Sequence, residues 1–331
     1  DMADSNLLNA ADFKAEALRL GAAEAGMAAA DTLAAEWPYL QAYLSAGAQG
    51  DMAYMSRSPE TRCQPGQLLP GVRTVAVCAF SYFPRPDLYA YHPRIARFAQ
   101  GEDYHRVIRR FLKRMAAHVR QRHPDARCRG FVDTAPILEK AWAVRAGLGR
   151  IGRNDLLQSP RLGSYLFLGL LLTDVPADTY DRPTADTAAL PEHCLHCSAC
   201  VDACPTGALS LEGAPRLRAD RCLAYATIEM PPDGNGRKAF PPLRPQAAGA
   251  PPLAIFGCDR CQAVCPANRP GAFPTAVPTP HPAFVPAPGL AALSQADFAR
   301  LDDTALRERF ARSPLRRAGA DGLKANLTLW D

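Results

Sequence analysis

Eight of the eleven cysteines in this 331-residue chain, Cys194, Cys197, Cys200, Cys204, Cys222, Cys258, Cys261 and Cys265, fall within 72 residues. No other feature restricts the fold as much, because a segment so rich in thiols and so poor in apolar periodicity needs covalent or metal staples to hold it. The N-terminal residues Asp1-Met-Ala-Asp-Ser-Asn show no basic stretch followed by an apolar one, so a cytoplasmic chain with reduced thiols is expected and a disulfide framework is not. The remaining Cys63, Cys78 and Cys128 are scattered and read as small apolar residues.

The spacing names the metal chemistry. Cys194-x2-Cys197-x2-Cys200-x3-Cys204-Pro205 is the two-cluster ferredoxin run, in which the fourth cysteine ligates the neighbouring cluster. Cys258-x2-Cys261-x3-Cys265-Pro266 is a second run short by one cysteine, which Cys222 can supply. The crossed rule then gives Cys194, Cys197, Cys200 and Cys265 to one [4Fe-4S] cluster and Cys204, Cys222, Cys258 and Cys261 to the other. Two tetrathiolate zinc sites are the alternative, but three cysteines at x2-x2 spacing suit the corner of a cubane better than a zinc knuckle. Two adjacent clusters conduct electrons and do not transform a substrate, and 193 residues precede Cys194. The acceptor is therefore expected in the N-terminal part.

That part reads as an α/β or α+β layer structure. Residues 5–48 look helical, with Asp12 to Leu20 amphipathic and Gly21 a C-cap; a strand follows at Val72 to Phe80. Then come a basic helix, a short strand Gly130-Phe-Val-Asp133, a helix from Ile137 to Ala146, and a buried run from Ser164 to Thr173, so a central sheet covered by helices fits best. Gly147-Leu-Gly-Arg-Ile-Gly152 has dinucleotide-like glycines but follows a helix, and no P-loop occurs. The longest apolar run, Tyr165 to Leu172, is far short of the roughly 20 residues a bilayer needs, so no membrane segment is expected. Domains are expected at 1–182 (catalytic), 183–275 (ferredoxin-like) and 276–331 (a Pro-rich linker and C-terminal helices, with a helical piece from Gln295 to Arg312). Fifteen of the 31 prolines lie between Pro231 and Pro288, which predicts irregular chain there.

The net charge is only +5, yet between Arg94 and Arg129 eleven Lys and Arg residues face three acidic ones. Ile108, Phe111, Leu112, Met115 and Val119 recur at helical spacing, leaving Arg106, Arg109, Arg110 and Lys113 opposite them. A solvated helix face is the plain reading, and a surface for nucleic-acid phosphates is the sharper one.

Segments along nearly the whole chain carry a family resemblance: Gly50-Asp-Met-Ala-Tyr-Met-Ser-Arg57, Ala96-Arg-Phe-Ala-Gln-Gly-Glu-Asp-Tyr-His105, Val132-Asp-Thr-Ala-Pro136, Arg145-Ala-Gly-Leu-Gly149, Ala226-Thr-Ile-Glu229, Gly257-Cys-Asp-Arg-Cys261 and the paired cysteine runs. With them the chain resembles the epoxyqueuosine reductases, cobalamin-dependent enzymes that complete queuosine in the anticodon loop of tRNA. The resemblance implies a nitroreductase- or flavin-reductase-like sheet domain that binds cobalamin base-off, capped by the ferredoxin-like module. It implies reduction of an epoxide to an alkene with loss of water, with electrons passing through both clusters to cobalamin. Asp133 matches the family's proton donor, and apolar neighbours are expected to raise its pKa. The resemblance points to Arg57, Arg97, Asp133, Asn154, Leu157, Ser164, Tyr165, Leu168, Thr227 and Glu229 as the cobalamin site. Tyr104, His105, Arg106, Arg109, Arg110 and Lys113 then face substrate or tRNA. An external low-potential electron donor and a monomer are expected.

Three departures bear on the substrate. The usual Gly-Trp-Ile-Gly-Lys-His is Gly149-Arg-Ile-Gly-Arg-Asn154, the usual Gly-Glu is Gly169-Leu170, and many relatives continue past Ser313-Pro-Leu-Arg-Arg-Ala-Gly319 into helical repeats. A corrinoid and iron-sulfur reductase of a small molecule, in the manner of a reductive dehalogenase, and a pure electron carrier stand as the other readings.

Overall fold

In Thr74-Val-Ala-Val-Cys-Ala-Phe-Ser81 successive side chains point to opposite faces, and every one of them is buried, so both faces must be covered. The computed structural model, which describes residues 6–183, 189–246, 249–269 and 281–330, shows how. Helix α1 (Ala10–Arg19) leads to β1 (Glu24–Ala29); α2 (Trp37–Ser45) and the single turn α3 (Pro65–Leu68) precede β2 (Thr74–Ser81). The basic helix α4 (Tyr104–Arg122) runs into β3 (Cys128–Phe131), α5 (Glu139–Arg145), the small pair β4 (Arg150–Ile151) and β5 (Leu157–Gln158), and β6 (Leu166–Thr173). Six short helices follow: α6 (Ala199–Asp202), α7 (Leu223–Ile228), α8 (Arg260–Ala263), α9 (Gln295–Ala299), α10 (Asp303–Arg309) and α11 (Gly319–Ala325).

The main sheet has the order β1-β2-β6-β3 and is antiparallel throughout, with Thr74 opposite Thr173 and Ser81 opposite Leu166. Alternation divides its side chains between two cores. Met27, Ala76, Cys78, Phe80, Phe167 and Leu171 pack with Phe13 and Ala17 of α1 and with Ile108, Phe111, Leu112 and Met115 of α4. Val75, Val77, Ala79, Phe131, Leu170 and Leu172 pack on the other side with Ala141, Trp142 and Val144 of α5. Gly169 lets α4 lie close on the sheet, since a Cβ there would sit 2.5 Å from Cγ2 of Ile108.

The expected central sheet is present, and two local expectations are corrected. Residues 5–48 are not helical throughout: Ala-rich Glu24–Ala29 is an edge strand on β2. Helix propensity there is overridden by tertiary packing, since at Gly26 even a Cβ would lie 2.1 Å from the Ala146 carbonyl oxygen. The piece from Gln295 to Arg312 is two helices, because the Asp302 side chain accepts from Ala305 N–H and starts α10 afresh.

The cysteine-rich part is stitched to the sheet. Ser164 N–H donates to Asn268 Oδ1 at 2.8 Å, Asn268 Nδ2 donates to Ser164 Oγ at 2.8 Å, and Ser164 Oγ lies 3.1 Å from Gln262 Oε1. Arg153 donates to the Cys194 carbonyl, and Tyr225 donates to Asp51. A third core, built on Phe256, Phe298, Leu301, Leu306, Phe310 and Leu323, seats the C-terminal helices on residues 95–99 and 255–256. The expected boundary at 275/276 lies outside the described residues. Among them, no helix is long and apolar enough to cross a membrane.

Candidate active site

Strand β3 ends at Phe131 and the chain turns sharply: Asp133 has φ 53, in the left-handed region that L residues adopt at a cost. Its carboxylate is thereby aimed at the N-terminus of α4. Tyr104 Oη donates to Asp133 Oδ2 at 2.9 Å, and His105 Nε2 lies 3.0 Å from the same oxygen. His105 Nδ1 contacts Asp103 Oδ1 at 2.8 Å, and that carboxylate also caps the helix by accepting from His105 N–H. From the other side, Asp133 N–H donates to Glu139 Oε1 at 2.5 Å. The Asp133 side chain is 54% exposed, so the cluster it forms with Tyr104, His105 and Glu139 is open to solvent on one side. A run of rings leads away from it: His105 stacks on Tyr104, Tyr104 on Phe167, and Phe167 on Tyr82, whose edge meets Tyr165.

The ionisation differs from expectation. Burial pushes the Asp133 carboxyl up, but hydrogen bonds from His105 and Tyr104, with the charges of His105 and Arg317, outweigh it and hold the group below the usual carboxylate range. The neighbours that decide are a phenol and an imidazole brought in by the fold, not the apolar residues adjacent in sequence. Burial works against the His105 proton, yet hydrogen bonds to Asp103 and Asp133 and their charges raise that group to about 9. Burial first, then the charge of Asp133, pushes Glu139 up to about 8. At neutral pH the cleft therefore stores its protons on His105 and Glu139 beside an ionised Asp133.

His105 binds its proton more tightly in the folded chain, so its stabilising contribution is full below its ordinary value of 6.5 and is lost as pH rises through about 9. Glu139, also raised, acts in the same direction. The melting temperature is expected to fall from pH 7 to 9, less steeply in His105→Gln; an equal slope in the variant would assign the fall to other groups.

The cysteine thiols lie close enough together to act on one another's charge. Burial, then the charges of Cys194, Cys265 and Cys197, pushes the Cys200 thiol up to about 11, and Cys265 likewise interacts with Cys194 and Cys197. Burial, then the charges of Cys222, Asp259 and Cys204, pushes Cys258 up to about 12, and burial with the charges of Cys258, Cys222, Cys200 and Cys204 pushes Cys261 up as well. Thiolates crowded in this way repel one another unless a polycationic centre neutralises them, and this donor set suits iron-sulfur clusters. Backbone N–H groups already converge on the sulfurs: Ala208 N–H reaches Cys204 Sγ at 3.3 Å, and hydrogen bonds at Thr206, Ala208 and Leu209 hold that thiol below its ordinary value despite burial. Cys63 and Cys78 are buried in the sheet domain, as expected of small apolar residues.

Comparison with known proteins supplies the family. Residues 62–134 match the family model described as epoxyqueuosine reductase QueG, DUF1730, and residues 193–268 match the 4Fe-4S double cluster binding domain. The chain is 33% identical over 315 residues to the epoxyqueuosine reductase of Cellulophaga algicola, covering 95% of both chains. The chain belongs to the epoxyqueuosine reductase family. The Pseudomonas aeruginosa epoxyqueuosine reductase is 38% identical over 298 residues, covering 88% of this chain and 76% of its own. A crystal structure of an epoxyqueuosine reductase with an epoxyqueuosine-modified tRNA-Tyr stem loop superposes with a TM-score of 0.77 at 28% identity, over 96% of this chain and 80% of that one.

The other residues singled out by resemblance to the family are distributed unevenly. Arg106, Arg109, Arg110 and Lys113 form an exposed row on α4, and Arg109 donates to Thr134 Oγ1 at 3.3 Å, beside Asp133. Arg97 meets Asp259 at 3.5 Å, and among the described residues the buried Arg97 Nε, Asp259 Oδ1 and Asn154 Nδ2 have no hydrogen-bond partner. Ser164 and Thr227 are buried and engaged within the protein, Thr227 Oγ1 with Leu223 O and Gly257 N–H. Tyr165 is buried among Tyr82 and Phe83, while Leu157 and Leu168 pack in the α5 core. Glu229 forms a two-bond ion pair with Arg317, and Arg57 is exposed after Ala53–Met55. Sequence reading passed over Asp103, Glu139, Asp259 and Arg317. Asp103 alone carried a local signal, an acid just before the first turn of an amphipathic helix.

Proposed function

We propose that this chain reduces epoxyqueuosine to queuosine at the wobble position of tRNA, converting the epoxide to an alkene with loss of water. The observation that carries the reading is the end-to-end similarity to epoxyqueuosine reductases in a chain that keeps both cysteine runs. Reaction balance requires two electrons and two protons: both ring C–O bonds break, a C=C bond forms, and the oxygen departs as water. When bound, cobalamin supplies a low-potential metal centre through which electrons from the clusters reach the epoxide.

The chain's own residues do the rest. Cys194, Cys197, Cys200 and Cys265 hold one [4Fe-4S] cluster, and Cys204, Cys222, Cys258 and Cys261 hold the other. For the corrinoid, whose rim is lined with amides, the unpartnered Arg97 Nε, Asp259 Oδ1 and Asn154 Nδ2 are fitting partners, because a buried polar group without a partner is costly. Asp133 hands a proton to the departing oxygen and is resupplied by His105, which Asp103 orients. The row from Arg106 to Lys113 meets tRNA phosphates, and the unstacked wobble base enters the cleft. Residues 1–182 act as the catalytic part, 183–275 as the electron relay and 276–331 as a cover. The chain works as a cytoplasmic monomer fed by an external low-potential donor.

Full-length protein reconstituted anaerobically with iron, sulfide and cobalamin, and given a chemical low-potential donor, is expected to convert epoxyqueuosine in tRNA to queuosine. Its affinity for that tRNA should fall steeply with salt. Unchanged epoxide in the presence of both clusters and bound cobalamin overturns the reading.

A further inference from the structure

We infer that Glu139 is the positioning residue that latches Asp133 in its working pose, through the hydrogen bond its carboxyl accepts from the Asp133 backbone N–H. The inference rests on Asp133 being the proton donor. Three features of the structure lead to it. Asp133 has φ 53, a backbone conformation that persists only where surrounding contacts fix it, and it follows the strand by two residues with no ladder partner. The contact that fixes it is Glu139 Oε1, 2.5 Å from Asp133 N; among the described residues this is the one hydrogen bond the Glu139 side chain makes. Glu139 is itself anchored, because it opens α5, whose next turns carry the fully buried Trp142 and Ala143 into the core. A rigid helix thus reaches back across the five residues between Asp133 and Glu139 and sets the direction of the Asp133 side chain toward His105 and Tyr104.

The latch titrates. Facing Glu139 are Asp133, His105 and Tyr104, with Lys140 on its own helix drawn off by Asp155, and Arg317 approaching Asp133 from the C-terminal segment. With its proton, Glu139 offers Asp133 N–H a neutral acceptor. Without it, the Asp133 N–H faces a stronger acceptor, while two like charges stand across the same turn.

The test is single-turnover reduction of epoxyqueuosine in tRNA by the loaded full-length enzyme, with His105 ring titration by NMR as a readout independent of activity. Glu139→Ala, which removes the acceptor, is expected to lower kcat about 10- to 100-fold with KM unchanged, the scale of loss that follows from a misplacement of about 1 Å. The His105 titration should drop from about 9 as Asp133 swings away. Glu139→Gln keeps an acceptor oxygen for the Asp133 N–H, so it should lose far less activity than Glu139→Ala and keep the high His105 titration. The latch is overturned if Glu139→Ala matches wild type in rate and in the His105 titration, or if Glu139→Gln loses as much activity as Glu139→Ala. If Asp133→Asn is itself fully active, the donor assignment falls and the latch with it; if Asp133→Asn is inactive and Glu139→Ala normal, the latch alone falls.

Discussion

Asp133→Asn is expected to slow epoxide reduction by about 10²- to 10⁴-fold, the usual worth of a positioned general acid, while leaving tRNA affinity and both clusters in place. Asparagine is the informative replacement. It has the same shape, tolerates the left-handed backbone that residue 133 adopts, and still accepts from Tyr104 and His105 through Oδ1. What it cannot do is pass a proton. Although Asp133 is ionised at rest, this does not disqualify it, because the proton lies one hydrogen bond away on His105 and the alkoxide that forms on ring opening is far more basic than any carboxylate. The net transfer from His105 to that oxygen runs downhill, with Asp133 carrying the proton only in passing. The variant also removes one of the two carboxylates that hold the His105 proton, so the imidazole should titrate below about 9. The decisive comparison is single-turnover formation of queuosine in tRNA: near-wild-type rates in Asp133→Asn would remove the residue from the proton path.

The parts of this site that could be read from sequence are the parts written locally. The double-cluster module was legible because C-x2-C-x2-C-x3-C-P and its shorter second run are written locally, and α4 because five apolar residues at helical spacing leave one basic face. The ionisation of Asp133 was not legible. Its sequence neighbours are apolar, but the groups that set its charge, Tyr104 and His105, lie 29 and 28 residues away and arrive only when α4 packs on the sheet. Glu139 was missed for the same reason, since nothing in Leu138-Glu139-Lys140 signals that a helix-opening acid reaches back to a strained turn. Strand β1 was misread because Ala-rich sequence favours a helix, and only the proximity of the Ala146 carbonyl and the edge of β2 make it a strand. The side chains of Ser164 and Thr227 are also bonded within the protein, to partners about 100 and 30 residues away that no local pattern announces.

Removing cluster ligands in pairs is expected to give the largest structural effect and to separate the crossed from the uncrossed assignment. In the crossed arrangement Cys204 belongs with Cys258, so Cys204→Ser with Cys258→Ser should cost about half the iron and leave one [4Fe-4S] spectrum intact. Cys204→Ser with Cys194→Ser should abolish both clusters. Sequential pairing predicts the reverse, and iron analysis with electron paramagnetic resonance of the reduced proteins distinguishes them without reference to activity. The second pair should also unfold the segment. Its own apolar core is little more than Cys200, Cys204, Ala208 and Leu209, so most of the order between the two runs has to come from metal-thiolate bonds. Once they are gone, the hydrogen bonds from Asn268 to Ser164 and from Arg153 to the Cys194 carbonyl have no fixed partner on the module side, and limited proteolysis should cut within the cysteine-rich region while sparing the sheet. Epoxide reduction should then be undetectable even with Asp133, His105 and Glu139 intact, because protons held ready in the cleft accomplish nothing without electrons delivered to it.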